Sequence, residues 1–237
     1  MLFFRSLINC ALLLDEIIVN AADNYHRDRK MTMVKVKIDD KNNRITVWNN
    51  GKGIPVVVHP KEKVYVPELV FGHLLTSSNY NDNIKKVTGG RNGFGAKLTN
   101  IFSKKFTITT ADARNKKKYT QVFKNNLKEI CEAKIEAFSP DQYDFTEVCF
   151  EPDLKRFNLQ GGIDADMKSL LEKRVIDLAG VTPASVSIYL NGKKITKAKS
   201  FQSYVDLYFG GGSQNTEDTK VFKAYEAVGT RWEVCVA

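Results

Sequence analysis

Residues Asp15 to Asn24 read Asp-Glu-Ile-Ile-Val-Asn-Ala-Ala-Asp-Asn, and this decapeptide constrains the chain more than any other. Glu16, Asn20 and Asn24 recur every four residues, a spacing that stacks them on one side of a helix. Leu14, Ile17, Ile18 and Ala21 form a neighbouring apolar stripe that needs a core to cover it. One helix is therefore predicted to be half core and half polar face. A carboxylate and two carboxamides on that face can position a water, a metal ion and a nucleotide. A surface helix with a polar stripe fits the same residues.

Around this helix the periodicities predict a mixed α and β domain. Residues 6–26 are helical in pattern. Val34, Val36 and Ile38 alternate, a turn follows at Asp40 to Asn43, and Arg44 to Trp48 is a second strand, so 33–48 reads as a hairpin. Glu68 to Leu75 and Ala96 to Phe102 have short-helix spacing. Between them, Thr76 to Arg91 is a long polar loop, a kind that in compact domains is functional or disordered. Phe106–Thr110, Tyr119–Phe123, Ala133–Ala137 and Phe145–Phe150 are strands in pattern. Asp164 to Ala179 is an amphipathic helix with Gly180 as its C-cap. Val186–Leu190 is a strand before the tight turn Asn191-Gly192, Phe201–Phe209 is a short helix or strand, and Trp232–Val236 is a last strand.

Three further motifs lie in this frame. Asn49-Asn-Gly-Lys-Gly-Ile-Pro55 follows a strand, where Gly51 and Gly53 allow close backbone approach and Asn49 can read an adenine edge; a plain glycine turn is the alternative. Thr76-Ser-Ser-Asn79 offers small hydrogen-bonding groups to a ribose or phosphate, or is a polar loop. Gly89-Gly-Arg-Asn-Gly-Phe-Gly-Ala-Lys97 opens a helix, so its amides and the charges of Arg91 and Lys97 suit an anion, unless the loop is merely structural. It is no P-loop, because Ala96 stands where Lys is required, and no dinucleotide fingerprint, because Leu98 stands where a small residue is required.

Other readings are set aside. His26-Arg-Asp28 is followed by Met33 where a kinase needs Asn, and no Asp-Phe-Gly follows. Lys116-Lys-Lys118 reads as a solvated hairpin turn, and His59 and His73 lack metal-ligand spacing. The four cysteines form no C-x-x-C pair, which disfavours a zinc site and fits a reducing, intracellular setting. Met1 to Leu14 is apolar but too short for a membrane span and lacks a cleavage signal, so no membrane partner is expected. At 237 residues, 43% of them hydrophobic, there is room for one large domain or one and a half. A net charge of +9 favours an anionic partner such as a nucleotide or nucleic acid.

The ordered motifs resemble the GHKL ATPase superfamily of gyrase, Hsp90, histidine kinases and MutL. Asp15–Asn24, Trp48–Pro55, Leu74–Tyr80 and Val87–Lys97 look like the ATPase domain of eukaryotic type IIA DNA topoisomerase (DNA topoisomerase II). Asn191-Gly-Lys-Lys194 and Phe201–Tyr208 are similar to the segments that enter its transducer domain. Asn49 agrees with this branch, since most of the superfamily carries Asp there.

The resemblance implies an α+β Bergerat fold, a two-layer sandwich with a mixed, largely antiparallel sheet. It implies a GHKL ATPase domain over residues 1–195, and over 196–237 an incomplete start of a transducer domain of the ribosomal S5 domain 2-like type. It implies ATP and Mg²⁺ as ligands. Glu16 is then the general base, Asn20 holds Mg²⁺, and Asn24 and Asn49 lie near the nucleotide. Ser77, Ser78 and Asn79 contact ribose or phosphate, while Gly90, Arg91, Asn92, Gly93, Phe94, Gly95, Ala96 and Lys97 wrap the triphosphate. It further implies an ATP-hydrolysing isomerase that changes DNA topology, a nuclear location, DNA as partner of the full enzyme, and a homodimer. The family's N-terminal arm, its transducer lysine, and its cleavage tyrosine and cleavage domain have no counterpart in these residues. That argues against a stable ATP-closed dimer and leaves two expectations. One is an ATPase module with weak turnover; the other is a truncated remnant that binds ATP or a partner without turnover.

Overall fold

A computed structural model of the chain describes residues 2–73, 93–139, 141–212, 222–229 and 232–236. Helix α1 (Leu2–Arg27) runs unbroken for 26 residues. No glycine or proline interrupts it, and Cys10, Ala11, Leu13, Leu14, Ile17, Ile18 and Ala21 all turn inward. Strands β1 (Met33–Asp39) and β2 (Arg44–Asn49) form the expected hairpin, in register from Val34 opposite Asn49 to Asp39 opposite Arg44. Helices α2 (Val66–Gly72) and α3 (Gly95–Ile101) follow, then β3 (Ser103–Asp112), β4 (Lys117–Lys124), β5 (Glu129–Ile130), β6 (Lys134–Ala137) and β7 (Phe145–Pro152). Helix α4 (Ala165–Val181) leads to β8 (Ser187–Leu190) and β9 (Lys193–Lys194). After α5 (Phe201–Asp206) and a 3-10 turn come β10 (Ala224–Val228) and β11 (Trp232–Val236).

Nine strands make one sheet in the order β5-β4-β3-β7-β2-β1-β8-β9, with β6 beside β4. Its described pairs are antiparallel except β1 with β8. The mixed, largely antiparallel sheet expected from the sequence is what forms. The central strands alternate along most of their length: Val34, Val36 and Ile38 of β1 and Phe106 and Ile108 of β3 are buried, while their neighbours are not. The buried faces join α1, α3 and α4 in a single core. Helices cover one side of the sheet and solvent meets the other, which gives a two-layer sandwich.

Several local expectations are corrected. Gly180 lies inside α4, whose C-cap is Thr182 in an extended conformation; the glycine is there because Tyr204 packs against it, with Cγ 2.5 Å from where a Cβ would stand. Asp164 caps the other end, accepting from the Met167 amide at 2.8 Å. Lys117 and Lys118 already belong to β4, and the left-handed turn residue is Lys116, at φ 53°. Phe201–Phe209 is helical, because Ser200 and Ser203 close a capping box at its start. Strands β10 and β11 pair only with each other among the described strands, and Trp232 is 68% exposed.

Candidate functional site

The site is laid out by α1. Its Glu16 and Asn20 side chains lie on the exposed side of the helix, opposite the buried Leu14, Ile17, Ile18 and Ala21. The predicted division into a core face and a polar face is therefore present. Glu16 reaches the start of α3. A Cβ on Gly95 would overlap Glu16 Oε2 and stand 2.6 Å from its Cδ, so only glycine lets the two elements close to this distance. Burial pushes the Glu16 carboxyl above its ordinary range, and the neighbouring Asp15 charge adds to the rise.

Asn24, one turn further along, is 8% exposed and joins α1 to the glycine loop. Its Nδ2 donates to Asn49 Oδ1 at 2.8 Å and to the Lys52 carbonyl at 3.0 Å. Asn49, 4% exposed, also accepts from the Gly51 amide at 3.2 Å. Gly51 faces Asn24 so closely that a Cβ there would sit 2.6 Å from Asn24 Nδ2. Sequence reasoning placed Asn24 and Asn49 near one another through a common ligand. The structure joins them directly.

Two threonines extend this polar row, and sequence reasoning missed both. Asn49 lies opposite Thr146 of β7, and Thr146 lies opposite Thr110 of β3, so the three share one row across adjacent strands. Thr110 is fully buried; its Oγ1 donates to the Phe145 carbonyl at 3.0 Å and accepts from the Ile54 amide at 2.9 Å. Two carboxylates fasten the loop: the Gly53 amide donates to Asp144 Oδ2 at 3.3 Å and the Val56 amide to Asp112 Oδ2 at 2.8 Å. The only local signal of this row is a threonine near a strand end, which is too common to single out.

At the start of α3, Gly93 takes the left-handed φ of 69°. Lys97 is 2% exposed, and its Nζ donates to the Gly93 carbonyl at 2.7 Å. Burial lowers its ammonium to about 8. Phe94 and Ala96 complete the described part of the glycine-rich loop, Phe94 partly exposed and Ala96 buried. Ser77, Ser78, Asn79, Gly90, Arg91 and Asn92 lie outside the described residues. The described groups thus bring together a carboxylate, a carboxamide, a lysine at a helix start and a buried amide–threonine row. Such a set can hold a heterocycle at one end and polyphosphate at the other.

Three comparisons bear on this arrangement. The profile of the family described as "Histidine kinase-, DNA gyrase B-, and HSP90-like ATPase" matches residues 9–129. The chain is 52% identical over 223 residues to DNA topoisomerase 2 of Arabidopsis thaliana, and 50% identical over 223 residues to DNA topoisomerase 2-alpha of Homo sapiens. These matches cover 94% of the chain but only 15% and 14% of the relatives, so it spans about a seventh of their length. The ATPase region of Saccharomyces cerevisiae topoisomerase II superimposes with a TM-score of 0.86 at 44% identity, over 95% of this chain and 57% of that one. The ATPase and transducer domains of DNA topoisomerase II from Balamuthia mandrillaris give 0.85 at 40% identity, over 95% and 55%.

Proposed function

The chain belongs to the histidine kinase-, DNA gyrase B- and HSP90-like ATPase family, and from that membership we propose that it is the ATP-binding and ATP-hydrolysing module of a type II DNA topoisomerase. The observation that carries the reading is the meeting of Glu16 on α1 with Gly95 at the start of α3, one turn from Asn20 and with Lys97 on the same short helix. Phosphoryl transfer to water needs an oriented nucleophile and neutralised phosphate charge more than covalent chemistry. Glu16 is the general base, and its raised proton affinity suits that task. Asn49, Thr146 and Thr110 supply the floor for the base. Gly93 to Lys97 wrap the phosphates, and Gly90, Arg91, Asn92, Ser77, Ser78 and Asn79 complete the phosphate and ribose contacts.

A divalent ion fits the donor set. Asn20 presents an exposed carboxamide, a hard oxygen donor, and no cluster of three or more His, Cys, Asp or Glu exists among the described residues. An ion held by one side-chain oxygen takes its remaining ligands from phosphate and water, which is the habit of Mg²⁺. When bound, it neutralises triphosphate charge and fixes its geometry. Strand passage, DNA, a second subunit and the nucleus are the setting proposed for the whole protein. We further place the end of the ATPase unit near residue 195. The separate pairing of β10 with β11 supports a new unit, the start of a transducer domain, beyond it.

Two results are expected. Glu16→Ala is expected to keep Mg²⁺-ATP binding within about threefold while ATP turnover falls at least about 100-fold, the scale of losing a general base. Phosphate release compared with the unsubstituted chain reads this directly. Equal rates would leave the chain a binding role without turnover.

The second concerns pH. With Lys97 titrating at about 8, the ammonium is charged at neutral pH and loses its proton as pH rises through that value. Affinity for Mg²⁺-ATP is therefore expected to be constant below about pH 7 and to weaken above about pH 8, with net proton uptake on binding in that upper range. Calorimetry in buffers of different ionisation enthalpy measures the uptake, and Lys97→Gln should remove it. A flat affinity from pH 7 to 9 would rule out the role given to Lys97.

A further inference from the structure

Next to Glu16 stands a residue the nucleotide site does not use. Asp15 points away from Glu16 toward α4, where Arg174 takes its carboxylate in a fork. Nε donates to Oδ1 at 2.9 Å and to Oδ2 at 3.0 Å, and Nη2 donates to Oδ2 at 2.6 Å. The pair is part-buried, with 16% of the Asp15 side chain and 37% of the Arg174 side chain exposed. Arg174 is itself held from behind. Its Nη1 donates to Asp177 Oδ2 at 3.3 Å, and Asp177 Oδ1 accepts from the Tyr204 hydroxyl of α5 at 2.8 Å. Tyr204 reaches that position because Gly180 leaves room for its ring on α4, and its hydroxyl also meets that of Tyr208 at 2.8 Å.

We propose that Arg174 is a positioning residue for Glu16, its fork fixing the turn of α1 that aims Glu16 at Gly95, with Asp177 and Tyr204 bracing the fork. An apolar stripe sets which side of α1 faces the core but supplies no directional bond against rocking of the helix about its axis. A bidentate guanidinium–carboxylate bond restricts that rocking, since two parallel bonds define a plane as well as a distance. Adjacent helical residues project about 100° apart, so clamping Asp15 to α4 sets the direction in which Glu16 leaves the helix. The clamp also answers the Asp15 charge. Charged groups on the elements around Glu16 include Asp15, Asp23, His26 and Arg27 on its own helix, Lys97 on α3, and Asp166, Lys168, Glu172, Lys173, Arg174 and Asp177 on α4; of these, Asp15 raises the Glu16 carboxyl, and Arg174 pairs with Asp15. Without Arg174 the Asp15 carboxylate would act on Glu16 uncompensated and hold its proton more tightly.

The inference rests on the general-base reading of Glu16, and the test separates the two. The Glu16 carboxyl is titrated by NMR through its labelled side-chain carbon in the unsubstituted chain, in Arg174→Gln and in Asp15→Asn, each checked for thermal unfolding. Arg174→Gln is expected to raise the Glu16 midpoint by about half a pH unit or more, and Asp15→Asn to lower it. In steady-state assays Arg174→Gln lowers kcat about tenfold while KM for ATP stays within about threefold, the pattern of a misplaced base rather than lost substrate binding. A purely structural clasp would lower the melting temperature of both variants and leave the Glu16 midpoint where it was, which would overturn the proposal. Should Arg174→Gln not fold, Arg174→Lys decides: it keeps the charge and loses the fork, so kcat lowered about tenfold with KM for ATP within about threefold supports the proposal, and an unchanged kcat overturns it. A Glu16 signal unmoved by Mg²⁺-ATP in the unsubstituted chain would defeat the ATPase reading itself, whatever the two variants do.

Discussion

Asn20→Ala is expected to weaken Mg²⁺-ATP binding at least about 100-fold, about 2.7 kcal/mol, without loosening the fold. The side chain lies on the exposed face of α1 and holds no protein partner among the described hydrogen bonds of the site. Alanine is the strongest helix former, so the helix loses nothing by the change. What disappears is the oxygen that would hold the ion, and with the ion goes the neutralisation of the triphosphate. Titration calorimetry with and without a chelator checks the assignment. The unsubstituted chain should lose affinity when Mg²⁺ is removed, and Asn20→Ala should lose little more. A dissociation constant for Asn20→Ala within threefold of the unsubstituted value would remove Asn20 from the site.

Gly53→Ala is expected to destabilise the chain by about 3–5 kcal/mol, combining overpacking with lost hydrogen bonds. A Cβ there would overlap the Ala111 carbonyl oxygen and lie 2.8 Å from its carbon and 3.3 Å from Thr110 Oγ1. The obstacle is backbone near the end of β3, paired on both sides with Lys118 and Phe145, so it cannot swing aside as a side chain would. Either β3 bends, breaking pairs with β4 and β7, or the loop lifts and releases the tethers of Gly53 to Asp144, Ile54 to Thr110 and Val56 to Asp112. For a chain of this size the loss corresponds to a fall in melting temperature of about 10 °C. Gly161→Ala is the control, because nothing lies within 4 Å of its added methyl. Equal melting temperatures for the two variants would show that the loop yields more easily than its bonding implies.

The two predictions mark what a sequence discloses and what it withholds. The two faces of α1 were readable because Glu16, Asn20 and the apolar stripe lie within three helical turns, where periodicity places side chains directly. The β1–β2 hairpin was readable for the same reason, its turn and alternation being local. The seat of Gly53 was not, since its obstacle, Ala111, arrives with a strand more than fifty residues later. Thr110 and Thr146 join Asn49 only through the register of three strands. Arg174 meets Asp15 across 159 residues of chain. Gly180 shows how a local rule fails: a glycine near a helix end reads as a cap, yet it serves as a floor for a tyrosine from another helix. The faces of a single helix were legible, and support assembled from distant segments was not.

The single long helix α1 has a consequence for how the protein comes into being. It precedes every described strand, and part of the cover over Leu14, Ile17 and Ile18 comes from β7 and α4, more than a hundred residues later. At about 5–20 residues per second a ribosome leaves that greasy ridge uncovered for on the order of ten seconds. The parallel pairing of β1 with β8 joins Met33 to Ser187 and is equally late. The β1–β2 and β3–β4 hairpins can close locally, but the core over α1 is complete only late. The nascent helix is a natural client for a chaperone, and it comes to rest only once nearly the whole sheet has left the ribosome.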